Sequence, residues 1–190
     1  MHRLSLTFVA ALVALPALQG CIPLFAGAAA GTGALIAEDR RSSGTYVDDQ
    51  GIELKAGNRI YEKYRDAHVN VTSFNRVALL TGEVASPEIK TEVGTLVQEV
   101  PGVRLVQNEL VVGPSSTMTA RANDTYLTSK VKSRFIDQSK FQVNHVKVVT
   151  EATVVYLMGL VHKTEAQAAA NVAATTGGVS RVVEVFEYID

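Results

Sequence analysis

HVNVTSFNRVALLTGEV, residues 68–84, returns 77 positions later as HVKVVTEATVVYLMGLV, residues 145–161. Val69, Val71, Val77 and Val84 fall on Val146, Val148, Val154 and Val161, Leu79 falls on Tyr156, and Gly82 falls on Gly159. Further on, Glu88 falls on Glu165. After the loss of one residue, Gly102, Val103, Val106 and Leu110 stand opposite Gly178, Val179, Val182 and Phe186. Coincidence at this many apolar and glycine positions marks two copies of one small domain in tandem. The polar stretch of residues 113–122 joins them.

Working outward from the quoted stretch, each copy yields the same order of elements. His68–Phe74 with Val77–Val84, and His145–Thr150 with Val154–Val161, alternate apolar and polar residues as strands with one covered face do. The connections are short, so each pair reads as an antiparallel hairpin. A helix precedes each hairpin, predicted over Ile52–Arg65 and Thr125–Asp137, the second capped by Asp124 or Thr125. A second helix follows. Ser86-Pro87 supplies a cap and a first-turn proline, and Thr164 with Gln167 fits a capping box. Gly102 and Gly177-Gly178 mark where these helices stop. A last strand closes each copy, reaching Val112 and Ile189. The fold class is α+β: two αββαβ domains, residues 48–112 and 123–190, each a three-stranded mixed sheet covered by two helices. About 65 residues is near the lower limit for a self-sufficient core.

The N-terminus is of a different kind. MHRLSLTFVAALVALPALQGC places Arg3 ahead of an apolar run and small residues ahead of Cys21, the layout of a secretory signal over residues 1–20. Cys21 is the only cysteine among the 190 residues, so no disulfide forms within the chain. Leu18-Gln19-Gly20-Cys21 resembles the lipobox of bacterial lipoproteins, which implies cleavage before Cys21 and its lipidation; acylation gives stable anchoring. Ile22 stands where inner-membrane retention would use Asp, and by resemblance to Gram-negative sorting this implies the outer membrane. Residues 21–47, with the Gly/Ala-rich IPLFAGAAAGTGALIA, read as a lipidated N-terminus and flexible tether. The full chain has 18 basic and 19 acidic side chains; loss of Arg3 with the signal leaves 17 against 19, so no global charge draws it to anionic partners.

The paired αββαβ units carry further shared marks: VNV, GEV and GVRLV in the first copy, VKV, GLV and GVSRV in the second. These resemble BON domains. With the lipobox, RSSGTYVDD, NDTYLTSKV and VVYLMGLV, the whole chain resembles the outer-membrane lipoproteins that carry two such domains. The resemblance implies a non-enzymatic lipoprotein on the periplasmic face of the outer membrane that supports envelope integrity. It also implies binding of anionic, phosphatidylglycerol-like phospholipid through the first helix of the second domain. Relatives often have tryptophan where this chain has Tyr126; tyrosine also favours the membrane interface.

That helix, NDTYLTSKVKSRFI, divides into stripes. Leu127, Val131 and Phe135 recur every four residues as a core stripe. Tyr126, Lys130 and Arg134 form the neighbouring stripe, with Lys132 on the exposed side. Between Asn123 and Ile136, two Lys and one Arg against one Asp give a local charge of +2. By residue type alone, a solvated face is how most such helices behave, and the membrane-facing reading is the less common one. The resemblance makes Tyr126, Leu127, Lys130, Lys132 and Arg134 the candidate phospholipid contacts. The alternative is a periplasmic scaffold whose BON domains bind a protein or cell-wall assembly partner.

Catalysis and cofactors are not expected. Ser129 and Lys132 match S-x-x-K, but S-D-N and K-T-G are missing, Lys163-Thr164-Glu165 failing at the glycine. His68, His145 and His162 have no i,i+4 pairing and no second thiol, so no metal site is expected. Asp48-Asp49-Gln50 lacks the remaining ligands of a calcium loop, and no nucleic-acid motif is present.

Overall fold

The computed structural model describes residues 39–138 and 140–190. The expected signal segment, the lipidation site Cys21 and most of the expected tether lie outside them. Strands β1 (His68–Phe74) and β2 (Val77–Val84) pair antiparallel, as do β5 (Val146–Glu151) and β6 (Val154–Val161). Phe74 opposite Val77, and Glu151 opposite Val154, leave two-residue turns. Asn75, Arg76, Ala152 and Thr153 all have positive φ, between 48° and 63°, which matches the twist of a tight hairpin. None of the four is glycine, so each turn holds two residues in a costly conformation.

Two buried aspartates offset that cost. Asp49 accepts from the amides of Asn75 and Arg76, and Asp124 from those of Ala152 and Thr153. Both belong to the helix preceding their hairpin, α1 (Ser43–Lys63) and α3 (Met118–Gln138). These two 21-residue helices are offset by 75 positions, whereas the hairpins are offset by 77. Two extra residues therefore enter ahead of the second hairpin, where a 3-10 turn, Val143–His145, stands. On the helix register Ile52, Ala56 and Ile60 match Leu127, Val131 and Phe135, and all six are buried.

The helices begin earlier than apolar spacing predicts. Ser42 caps α1 through the Thr45 amide, and Thr117 caps α3 through that of Ala120. Asp124 is thus not a cap but an inward-facing residue of the second turn. Within the described part of the stretch read as tether, Arg41 bridges Asp39 and Asp49 and stacks 4.0 Å from the Phe74 ring centre.

After each hairpin come α2 (Pro87–Gln98), capped by Ser86 as predicted, and α4 (Lys163–Ala174). The cap of α4 is His162, whose amide is held by Glu165 at 2.9 Å, so the Thr164–Gln167 box does not form. The closing strand returns parallel to the middle strand. In the second domain β7 (Arg181–Tyr188) runs unbroken along β6. In the first it splits into β3 (Leu105–Asn108) and β4 (Val111–Val112), where Asn108 Oδ1 takes the Leu110 amide out of the ladder. The class is α+β with two mixed sheets.

Every residue of β2 is buried, because both its faces are covered. Ala78, Leu80 and Val84 pack under the helices of the first domain. Val77 and Leu79 pack with Phe74 against Tyr156 and Met158 of the second. In β6, Val155, Leu157 and Val161 face their own helices. The two sheets thus meet through their helix-free faces, forming a third apolar cluster, and the helices lie outside. Two cores near the lower size limit become one larger folded body.

Candidate functional site

Helix α3 lies on the outer face of the second domain, and its core stripe fixes its rotation. Leu127 is 2% exposed, and its Cδ2 lies 2.8 Å from where a Cβ on Gly178 would stand. Leu127 is therefore a corrected assignment: it anchors the helix from below and offers no surface to a ligand. At 100° per residue, the opposite face carries Tyr126, Ser129, Lys132, Ser133 and Ile136, all exposed. Tyr126 is 62% and Ile136 63% exposed.

The three cations separate. Lys130 Nζ donates to the Gly177 carbonyl at 2.7 Å and stands 6.0 Å from the Tyr126 ring centre. Arg134 reaches the end of α4, donating to Val172 O at 2.9 Å and to the hydroxyls of Thr176 and Thr175. Basic groups suit that end of a helix, where unpaired carbonyls and the dipole are negative. The stripe read from sequence is thus half-turned toward α4, with Lys130 and Arg134 partly spent on backbone. Lys132 makes no hydrogen bond or ion pair among the described residues and projects from the outer face. Ile136 was missed, although the position after the core residue Phe135 already turns it outward. No described helix is long and apolar enough to cross a membrane.

The first domain gives an internal comparison. On the register of 75, Lys55 and Arg59 match Lys130 and Arg134, but Gly51 stands at the position of Tyr126. An exposed aromatic at this position is what the second helix adds. Helix α1 has instead an exposed line of Val47, Leu54 and Tyr61 on its own outer side.

Two αββαβ units joined face to face, each with a buried aspartate locking its hairpin, define a tandem-domain protein. The BON-domain profile matches residues 48–114 and 123–190, and the chain belongs to the BON-domain family with two such domains in tandem. Among curated relatives, Outer membrane lipoprotein DolP of Haemophilus influenzae is 35% identical over 91% of each chain. A 21 kDa hemolysin of Actinobacillus pleuropneumoniae is 30% identical over 80% of this chain and 79% of its own. CdsD, a structural protein of the type III secretion system of Chlamydia trachomatis, matches over 74% of this chain and 63% of its own at 12% identity and a TM-score of 0.30. The chain is thus a DolP-like dual-BON protein.

Proposed function

We propose that this protein is an envelope lipoprotein, anchored through Cys21 to the periplasmic face of the outer membrane, that binds anionic phospholipid through α3 and supports envelope integrity. It is not an enzyme in this reading. The observation that carries the docking step is the outward Tyr126, with Lys130 beside its ring and Lys132 and Ile136 further round the exposed side of the helix. An amphipathic ring inserts at the headgroup level while cations meet phosphates, each contributing about 1 kcal/mol near an anionic surface. The likeness to an outer membrane lipoprotein over nearly the whole chain supports the location.

A second reading, a scaffold for a protein partner, is favoured by the exposed Val47, Leu54 and Tyr61 of α1. Flotation of the non-lipidated domain pair, residues 39–190, which lacks both the apolar N-terminal run and the Cys21 anchor, separates the two. With vesicles containing phosphatidylglycerol, the protein is expected to float, to lose binding on Tyr126→Asp, and to release at high salt. A wild-type domain pair that stays at the bottom of the gradient sinks the lipid reading in favour of the scaffold.

A further inference from the structure

Where the two hairpins meet, three side chains converge from both domains. His68 opens β1, Glu83 lies near the end of β2, and Glu151 ends β5. His68 Nδ1 is 2.9 Å from Glu83 Oε2 and 3.9 Å from Glu151 Oε1. One ligand atom of each falls within 4.8 Å of the others. The side chains are only 14%, 11% and 9% exposed, respectively. Among the described residues no Lys or Arg comes within 4.0 Å of either carboxylate; His68 is their one basic neighbour. Glu151 Oε2 accepts from Asn70, but no donor among the described residues reaches Oε1, which is turned toward the imidazole.

The repeat shows that the fold does not require this arrangement. His145 is the counterpart of His68, but the counterpart of Glu83 is Leu160 and that of Glu151 is Phe74. Apolar side chains fill both places in the other copy. Two nearly buried carboxylates that share a single imidazole keep at least one negative charge uncompensated, which is costly, and a cation between them offsets that cost.

We propose that His68, Glu83 and Glu151 form a divalent transition-metal site, suited to Zn²⁺, that clips the two domains together. One imidazole nitrogen with two carboxylates is a donor set zinc accepts, leaving a fourth position to water. The ion neutralises both carboxylates, which one imidazole cannot do. Bonds near ~2.1 Å set tetrahedral ligands roughly 3.4 Å apart, so from 3.9 Å Glu151 Oε1 closes on His68 Nδ1 by about 0.5 Å while the 2.9 Å His68–Glu83 pair opens by as much, within reach of side-chain rotation. Outer contacts already hold the ligands, with the Ser116 amide on Glu83 and Asn70 on Glu151, both at 2.9 Å. A cleft of about 430 Å³, bordered by His68, Asn70 and Glu151, gives an ion its way in.

The test titrates Zn²⁺ into the chelator-stripped full chain against a chromophoric chelator, and follows thermal unfolding with and without the metal. One ion per chain is expected, with Zn²⁺ raising Tm and chelator reversing the rise. Glu83→Gln and Glu151→Gln keep shape and should each weaken binding at least tenfold and abolish the Tm response. Circular dichroism checks that both remain folded. His162→Ala, at an exposed His162–Asp190 pair, should change nothing. Wild-type affinity in Glu151→Gln, loss of binding in His162→Ala, or no Zn²⁺-dependent Tm rise each overturns the site.

Discussion

Asp124 holds Thr153 in place: its Oδ1 accepts the Thr153 amide at 2.9 Å, while Oδ2 takes the amide of Ala152 at the same distance. A helix residue thereby fixes a turn 28 positions later and sets the register of the hairpin. Asp124→Ala removes two charge-assisted bonds and leaves strained amides unpaired. The expected loss is about 3 kcal/mol in urea unfolding. Thr153→Gly in that background should recover about 1 kcal/mol, since glycine adopts the turn conformation freely.

Gly82 and Gly159, the glycines of the G-x-V pattern, stand where a Cβ would collide with the neighbouring strand. The Cβ would lie 2.0 Å from the His68 carbonyl oxygen at Gly82 and 2.4 Å from that of His145 at Gly159. Gly82 also has φ of 114°. Gly82→Ala should therefore cost the most, about 3 kcal/mol or more, with Gly159→Ala less damaging. Gly57 on the open side of α1 has nothing within 4 Å, and Gly57→Ala should stabilise by about 0.5–1 kcal/mol. Thermal scans of the three variants check the order.

Much of this was readable beforehand, and the remainder was not for definite reasons. The strands and the two-copy plan follow from period-two alternation and matched glycines, signals local to each strand. Apolar spacing places the helix starts too late because Ser42 and Thr117 precede turns with no apolar residue of the stripe, so spacing has nothing to count there. Asp49 and Asp124 are charged residues whose partners are backbone amides 26 to 29 positions away, and no side-chain pattern announces those. Of the candidate site, the exposure of Tyr126 follows from its place beside the core stripe. The diversion of Arg134 to α4 depends on a helix end 38 to 42 residues later, which only the packed structure reveals.

The junction between Arg40 and α4 predicts an acid-sensitive step. Arg40 grips both carboxylate oxygens of Glu165, at 2.6 and 3.0 Å. That hydrogen bonding, above all, holds the Glu165 pKa down to about 2, from 4.5. A carboxylate depressed in the folded state binds fewer protons than in the unfolded chain between those values, so stability rises with pH across that window. Its contribution is full above the unfolded pKa and fades as pH falls toward 2. Urea midpoints measured from pH 6 down to pH 2 should drop less steeply for Glu165→Gln than for the wild type. Parallel slopes would deny Glu165 this role.

The proposed docking face makes a prediction that charge counting alone does not. Lys132 is unengaged among the described residues, whereas Lys130 is tied to the Gly177 carbonyl at 2.7 Å. A cation already held by backbone has less freedom to follow a phosphate, so equal substitutions should have unequal effects. Lys132→Gln is expected to lower the partition coefficient onto phosphatidylglycerol vesicles about fivefold, from ~1 kcal/mol of surface attraction. Lys130→Gln should lower it less, while costing stability through the exposed end of α4. Ile136→Ser should weaken vesicle binding by a similar factor without changing its salt dependence, because the side chain adds apolar burial and no charge. Vesicle cosedimentation at two ionic strengths reads all three. Equal losses for Lys130 and Lys132 would show that the helix meets lipid by overall charge rather than through the face centred on Tyr126.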